Sequence, residues 1–417
     1  MKKYDVAIIG CGGRGCGFAR MLSKKTEQFR VVALCDTNPA QMDKIHKLID
    51  IDTTDFVDPE EFFKEKRGDL LIIATGDRDH VPMGIRGLEL GYDLFMEKPI
   101  SDSREELKTL LDAKERTGGQ IIICHELRYG AGYRKCKELI ESGIIGKLNV
   151  IDASERPYYW HWVQAYVRNG FATLDKSHPV ILAKCSHDLD LIQYYAGSEC
   201  DTVSSLGDLR FFKPENAPEG SADRCLDCKY VDTCPYSAKR IYVDMWHENN
   251  EPEFEWPYAK VSIDPPITEE KLYEGIKSGP YGKCAFKCNV DQVDHQVVQM
   301  NFKNGVKASL KMVYSYHDGR RFVFYGTMGE IIMDERTDDI TVMPYGGKTE
   351  VIKLDTLIEG GHGHGGGDSI IINELYGMLS EGAKSTTDIS ESVEAHLIGI
   401  SAEESRKNGG AVVKVHQ

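Results

Sequence analysis

The sequence lacks any apolar run that approaches the about 20 residues of a membrane-spanning helix, and it has no excess of basic side chains. It contains 51 lysines and arginines against 66 aspartates and glutamates, which gives a net charge of −15. A protein that wraps nucleic acid needs basic side chains to neutralise phosphates, so this balance predicts no nucleic-acid partner. The start, MKKYDVAIIGCG, shows no small-residue cleavage site. We therefore expect no signal peptide, no membrane partner and a cytoplasmic location.

The composition also differs from that of a disordered chain. Hydrophobic residues make up 41% of the 417 residues and charged residues 28%, close to the average for soluble proteins. A chain of this length buries enough surface to hold a core without disulfides or metals, and it predicts two or three domains.

Short apolar strands separated by helices fill the first third of the chain. The strand patterns cover residues 4–9, 31–35, 70–74, 92–96 and 120–124. Such an alternation is typical of a doubly wound parallel sheet of the Rossmann type. We assign it to an N-terminal domain over residues 1–124.

The pattern changes after about residue 125. One continuous helix is expected over residues 180–196. From Cys200 onward strands follow one another without helices, and Asn304-Gly305 is a strong hairpin signal. We predict a second domain of the α+β class over residues 125–417, with a large open, mainly antiparallel sheet. A polar, cysteine-rich insertion at about 213–290 interrupts it and has too few apolar residues to order itself.

A glycine-rich turn links the first strand to the first helix. Gly10 permits a tight turn, Gly12 lets the backbone approach a pyrophosphate, and Gly15 allows close helix packing. The helix N-terminus then offers N–H groups to phosphates. Asp36 ends the second strand and would bind the ribose hydroxyls and repel a 2′-phosphate, so the sequence predicts NAD rather than NADP.

Several motifs in a fixed order resemble the Gfo/Idh/MocA family, which includes glucose–fructose oxidoreductase and inositol dehydrogenase. They are the glycine-rich turn, Asp36, Ala74-Thr75, Glu97-Lys98-Pro99, His125-Glu126-Leu127-Arg128-Tyr129 and His187-Asp188-Leu189-Asp190. The resemblance implies a Rossmann domain followed by an α/β domain with an open sheet, and a homodimer or homotetramer. It also implies oxidation or reduction of a secondary hydroxyl on a sugar or polyol, although some relatives cleave glycosides with a bound NAD.

The resemblance assigns catalytic roles to Lys98 and His187. Lys98 is similar to the lysine that reaches both the hydroxyl and the nicotinamide, and a positive charge there stabilises an alkoxide. His187 matches the active-site histidine and is suited to be a general base. The alternatives are a solvated surface lysine, and a helix histidine satisfied by Asp190, three positions on. Lys184, three before His187 on one helix face, would depress the pKa of His187 and is a third catalytic candidate.

The remaining site predictions concern the cofactor and the substrate. The cofactor site is completed by Gly13, Arg14, Asn38, Thr75, Gly76, His80 and Glu97, and the substrate site by Arg128, Tyr129, His362 and His364. His362-Gly363-His364 favours sugar hydroxyls over a metal, because two histidines are a poor ligand set. The aromatic run at residues 158–162 is equally suited to stacking on a sugar and to a subunit interface.

Five cysteines cluster in the insertion, at positions 225, 228, 234, 284 and 288. A cluster of this kind in a cytoplasmic chain favours a metal over disulfides. Four thiolates suit a structural zinc, and tight spacing also suits an iron–sulfur cluster. Free thiols are the remaining alternative.

The sequence therefore predicts an NAD-dependent oxidoreductase acting on a secondary hydroxyl of a sugar, polyol or glycoside. The second hypothesis is a glycoside-cleaving enzyme that oxidises a ring hydroxyl, eliminates the aglycone, adds water and reduces again with the same bound NAD. A sugar- or NAD-sensing regulator is the third. Retention of Lys98 and His187 argues against it.

Overall fold

A six-stranded parallel sheet forms the N-terminal part of the computed structural model, which describes residues 2–357, 366–383 and 385–416. Its strands are β1 (Tyr4–Ile9), β2 (Phe29–Cys35), β3 (Thr54–Phe56), β4 (Leu70–Ile73), β5 (Asp93–Met96) and β6 (Ile121–Ile123). The order β3-β2-β1-β4-β5-β6 is that of a Rossmann fold, as predicted. The strand order reverses between β1 and β4, and ligands of open α/β sheets bind outside the carboxyl ends at such a point.

Helices cover both faces of this sheet, and β1 and β4 are almost wholly buried as a result. The helices within this part are α1 (Gly13–Leu22), α2 (Pro39–Leu48), α3 (Pro59–Phe62), α4 (His80–Glu89) and α5 (Arg104–Thr117). One face also receives a helix from the far end of the chain, because Ile371, Ile372 and Leu375 pack into the same apolar cluster as Phe18.

A nine-stranded sheet dominates the rest of the chain. Its strands are β7 (Leu148–Glu155), β8 (Cys200–Asp208), β9 (His295–Phe302), β10 (Lys307–Val313), β11 (Arg320–Gly326), β12 (Gly329–Asp334), β13 (Asp339–Pro344), β14 (Glu350–Lys353) and β15 (Val413–Lys414). The order is β14-β13-β12-β11-β7-β10-β9-β8-β15, and all neighbours are antiparallel except the parallel pair β7 and β10. The predicted hairpin at Asn304-Gly305 joins β9 to β10, with Gly305 at φ +97°.

Helices cover one face of the large sheet, and burial alternates along β9 and β10 as expected for a sheet with one covered face. The helices of this part of the chain are α6 (Ala131–Glu141), α7 (Tyr159–Trp162), α8 (Val180–Ala183), α9 (Ser186–Ala196), α10 (Met245–Glu248), α11 (Glu269–Ser278), α12 (Gly367–Glu381) and α13 (Ile389–Lys407). Of these, α12 is the helix that packs on the Rossmann sheet, and α10 and α11 belong to the insertion. The predicted single helix over 180–196 is wrong, because α8 ends before Lys184 and α9 begins at Ser186.

The insertion between β8 and β9 is better ordered than predicted. Ile241, Tyr242, Leu272 and Ile276 are fully buried and join the main apolar core. The insertion is therefore anchored by apolar side chains of its own. Within the ranges given above, none of the helices is both long and apolar enough to cross a membrane.

Candidate active site

The glycine-rich turn has the geometry that its sequence predicts. Gly10 adopts φ +87°, and a Cβ there would lie 2.4 Å from the carbonyl of Ala74. A Cβ at Gly15 would lie 1.9 Å from the Gly10 oxygen. At Gly12, which caps α1, a Cβ would meet nothing within 4 Å among the described atoms. The turn thus fits a dinucleotide. The backbone is closely packed at Gly10 and Gly15, and it is open at Gly12, where a phosphate would approach.

Asp36 is held at the carboxyl end of β2. Its carboxylate accepts hydrogen bonds from the backbone N–H groups of Cys11 (2.7 Å) and Asn38 (2.8 Å), which fix it beside the glycine-rich turn. The side chain of Asn38 accepts from Ala40 N at 3.2 Å and caps α2. Asp36 is thus placed as a ribose ligand requires, whereas the Asn38 oxygen has a structural use.

Arg14 and Glu97 form an ion pair that underlies the turn. Arg14 Nε lies 2.5 Å from Glu97, and its Nη2 lies 3.0 Å from Asp368. Burial alone would raise the pKa of Glu97, but the charges of Arg14 and Lys98 lower it below its ordinary value. Both predicted cofactor residues therefore have protein partners, which give them a positioning role beneath the cofactor site.

The other predicted cofactor residues lie at the neighbouring strand ends. Thr75 and Gly76 follow β4 and remain accessible. His80 is buried, and its Nδ1 donates to the carbonyl of Pro99 at 2.7 Å. The imidazole thus braces the segment that carries Lys98 rather than facing the glycine-rich turn.

Lys98 and Lys184 lie where the two sheets meet. Lys98 follows β5 and its Nζ donates to the carbonyl of Ala183, 3.2 Å away at the end of α8. Lys184 lies in the break between α8 and α9, and its Nζ is 2.9 Å from Glu155. Lys184 therefore faces Glu155, because the interrupted helix removes the predicted shared face with His187.

His187 is paired with a carboxylate from the segment that follows β6. Its Nε2 lies 3.5 Å from Glu126 Oε1, and both side chains are largely buried. The alternative partner, Asp190, instead accepts two hydrogen bonds from Arg128, at 2.7 and 2.8 Å. A carboxylate beside an imidazole orients the ring and stabilises its protonated form, an arrangement suited to a general base.

The predicted substrate residues Arg128 and Tyr129 are turned into the protein. Arg128 is bound by Asp190, and the Tyr129 hydroxyl donates to Glu374 at 2.6 Å. Both residues are buried and bound by protein partners, and the predicted substrate contact stays a prediction. His362 and His364 lie outside the described residues.

Four further polar residues surround the lysines, and the sequence reasoning did not assign them. Glu155 ends β7 and pairs in register with Arg320, which begins β11. Arg320 Nε lies 3.1 Å from Glu155 and 3.0 Å from Asp188. Burial, together with the charge of Glu155, raises the pKa of Asp188 to about 7, although Arg320 opposes the shift. In the sequence, the one signal for this group was the carboxylate of Glu155 at the end of a strand. Arg320 could not be assigned from the sequence, because its position depends on the sheet register.

His161 is the fourth of these residues. Its Nδ1 is buried without a hydrogen-bond partner among the described residues. Burial, followed by the charges of Lys184 and Arg320, lowers the pKa of His161 well below its ordinary value. A neutral imidazole, whose Nδ1 is open to a further hydrogen bond, thus lies near Lys184.

The aromatic run around His161 packs against the insertion. Trp162 is buried, and the rings of Trp160 and Trp256 lie 4.8 Å apart. Trp256 also lies 4.8 Å from the His161 ring. The run is therefore part of an internal contact that links α7 to the insertion.

The insertion also reaches the cofactor side. Gly12 and Gly13 share one cleft with Lys44, Trp256 and Lys260. The further residues lining it are Cys16, Gly17, Arg20, Gln41, Phe254, Glu255, Ala259 and Ile263.

The cysteines do not form the predicted metal centre. Four of them, at positions 225, 228, 234 and 284, line one cavity together with Arg168, whose Nη2 lies 3.2 Å from the Cys225 sulfur. In the described part of the chain, no three His, Cys, Asp or Glu side chains are close enough to hold a metal ion. A guanidinium on the cavity wall also opposes a second cation. The predicted structural zinc is therefore not supported.

Comparison with known proteins identifies the fold and its relatives. Residues 4–125 match the NAD-binding Rossmann fold of the Gfo/Idh/MocA oxidoreductases, and residues 137–415 match the C-terminal alpha/beta domain of the same family. The protein YteT of Bacillus subtilis (strain 168) is 23% identical over 396 residues, 88% of each chain. The 2,7-anhydro-N-acetylneuraminate hydratase of Mediterraneibacter gnavus is 25% identical over 263 residues, 63% of this chain and 65% of its own. A levoglucosan dehydrogenase solved with NADH and levoglucosan has the same fold, with a TM-score of 0.72 at 16% identity over 100% of each chain.

Proposed function

The chain belongs to the Gfo/Idh/MocA oxidoreductase family, and from that premise we propose that it uses NAD to oxidise a secondary hydroxyl of a sugar, polyol or glycoside. One observation carries the proposal. Lys98, at the carboxyl end of the parallel sheet, reaches the helix break that carries Lys184, just before His187. Cationic and basic groups therefore meet beside the glycine-rich turn, in the crevice between two domains where small molecules bind.

In this proposal Gly10, Gly12, Gly13 and Gly15 hold the diphosphate of NAD, and Asp36 binds the adenosine ribose. Bound NAD supplies an acceptor for the hydride. Thr75 and Gly76 border the same strand edge. Arg14 and Glu97 fix the turn and the start of the Lys98 segment through their ion pair.

The proton chemistry is assigned to residues from both domains. Lys98 holds the substrate hydroxyl and its ammonium stabilises the developing alkoxide. His187 removes the hydroxyl proton, and Glu126 orients the imidazole and stabilises its charged form. Lys184, fixed by Glu155, places a second positive charge near the reacting oxygen.

A redox-neutral reaction is the second candidate. The hydratase relative is named for an overall reaction without net oxidation. Such a cycle needs a second proton acceptor once the ring hydroxyl is oxidised, because the neighbouring C–H must lose its proton before elimination. His161, whose Nδ1 is buried without a hydrogen-bond partner among the described residues, is the candidate for that step. The predicted cytoplasmic location, domain boundaries and homodimer or homotetramer stay predictions.

The test is a screen of sugars, polyols, uronates and glycosides with NAD, read by NADH absorbance and by product mass. We expect NADH to form with at least one substrate in step with its oxidation. A product of changed mass without NADH accumulation would favour the redox-neutral reaction. Binding of NAD without turnover of any substrate class would overturn the proposal.

A further inference from the structure

The insertion places a lysine on the glycine-rich turn of the other domain. Lys260 Nζ lies 3.5 Å from the position that a Cβ would take at Gly13, the first residue of α1. The N–H groups at this helix end point toward bound phosphate in folds of this type. An ammonium ion beside them is at the right place to bind the same anion.

Lys260 has no anionic partner in the described part of the protein. No hydrogen bond or ion pair of its Nζ occurs there, although Glu255 lines the same cleft. The titratable neighbour whose charge affects the pKa of Lys260 is Lys44, a second cation. Lys44 is already engaged, since its Nζ donates to the carbonyl of Cys11 at 3.1 Å. Lys260 is exposed to solvent at this cleft, and partial desolvation together with the charge of Lys44 lowers its pKa.

The segment that carries Lys260 is anchored firmly on one side and weakly on the other. Tyr258 is buried and its hydroxyl accepts from Asn249 at 2.6 Å, and Gln164 donates to the carbonyl of Pro257 at 3.1 Å. Toward the Rossmann sheet, the described ion pair is that of Asp264 with Lys47 at 2.6 Å, and both side chains are more than half exposed. Exposed pairs contribute little, so the segment belongs to the second domain and needs a further link to hold it on the first.

We propose that residues 254–263 form a cofactor strap in which Lys260 binds the diphosphate of NAD and slows its release. The inference rests on the proposed use of NAD and assigns a binding residue from outside the Rossmann domain. The diphosphate then joins the two domains, because α1 holds it from one side and the strap from the other. A slow release suits an enzyme that reduces and oxidises the same NAD within one turnover.

The experiment compares Lys260→Ala and Lys260→Arg with the control Lys277→Ala, an exposed lysine of α11 in the same insertion. The dissociation constant and the dissociation rate of NAD, and the dissociation constant of ADP-ribose, are measured in the full chain. A charge-assisted hydrogen bond contributes about 1.5–3 kcal/mol, so Lys260→Ala should weaken NAD and ADP-ribose by about 10- to 100-fold. Most of the effect should appear in the dissociation rate. Lys260→Arg should keep most of the affinity for NAD and ADP-ribose, and Lys277→Ala should match the unmodified protein.

Adenosine, which lacks phosphates, separates phosphate binding from a general disturbance. It should compete equally well in all variants. Unchanged affinity of Lys260→Ala for ADP-ribose would overturn the proposal, and so would an equal loss for adenosine and ADP-ribose, which is the result expected of a structural residue. If the unmodified protein binds no NAD, the proposed function fails instead, so the two failures are distinguishable.

Discussion

The cofactor half and the substrate half of the cleft are built in different ways. The cofactor half depends on one continuous turn, in which Gly10 and Gly15 remove side chains that would collide with the backbone. The substrate half joins Lys98, Glu155, Lys184 and Arg320, which come from distant segments linked by ion pairs and by the hydrogen bond of Lys98 to a backbone carbonyl. A local turn tolerates changes elsewhere in the chain, whereas a network of long-range pairs depends on every element that carries a member. Mutations in the cofactor half should therefore change dinucleotide binding, and mutations in the substrate half should change kcat.

The largest effect is expected at His187. His187→Ala should lower kcat by about 10²–10⁴-fold, because it removes the general base. NAD affinity should barely change, since the phosphate and ribose contacts lie in the other half. Steady-state kinetics and an NAD titration measure both quantities, with the exposed His46→Ala as control. Normal turnover of His187→Ala would reduce this residue to a structural one and move the search for a base to His161 or Lys184.

Lys98 should have the next largest effect. Lys98→Ala removes the charge that stabilises the alkoxide and should lower kcat about a hundredfold. Lys108→Ala, an exposed lysine of α5, is the matched control. If Lys98→Ala lowers NAD affinity as much as it lowers kcat, Lys98 also belongs to the cofactor half, and the separation of the two halves does not hold for this residue.

A change in the opposite half is expected at Asp36. Asp36→Asn keeps an acceptor for the Cys11 N–H but removes the negative charge that repels a 2′-phosphate. The ratio of NADP to NAD affinity should rise by about tenfold, while kcat at saturating NAD stays close to normal. Parallel titrations with both dinucleotides measure the ratio, and the exposed Asp52→Asn serves as control. A preference of the unmodified protein for NADP would contradict the assignment of Asp36.

The smallest effect concerns pH and stability. Burial raises the pKa of Asp188 from 3.8 to about 7 in the folded protein. A carboxyl with a raised pKa contributes stability that is present at low pH and is lost as the pH rises through its folded pKa. The melting temperature should therefore fall more steeply between about pH 4 and pH 7 than in Asp188→Asn, by about 2 °C. Parallel slopes for the two proteins would show that Arg320 keeps Asp188 ionised throughout.

The insertion shows where composition misleads. Its cysteine spacing suggested a metal that would order a polar segment, yet Ile241, Tyr242, Leu272 and Ile276 are fully buried in the main core. Their spacing along the sequence follows no regular period, because the segment consists of short turns and two helices that pack against other parts of the chain. The same packing brings residues 254–263 over the cofactor cleft.

The sequence by itself determined the alternation of strands and helices in the Rossmann domain, the glycine-rich turn, the position of Asp36 after the second strand and the hairpin at Asn304-Gly305. These features depend on neighbours along the chain, on the freedom of glycine at positive φ and on the buried runs of parallel strands. The tertiary structure alone decided that Glu155 meets Arg320, that Lys184 turns from His187 to Glu155, and that Lys260 reaches Gly13. Those pairs depend on strand order, sheet register and a helix break, which are set by packing between segments far apart in the chain. Local physics cannot fix a contact whose geometry is decided by the rest of the fold.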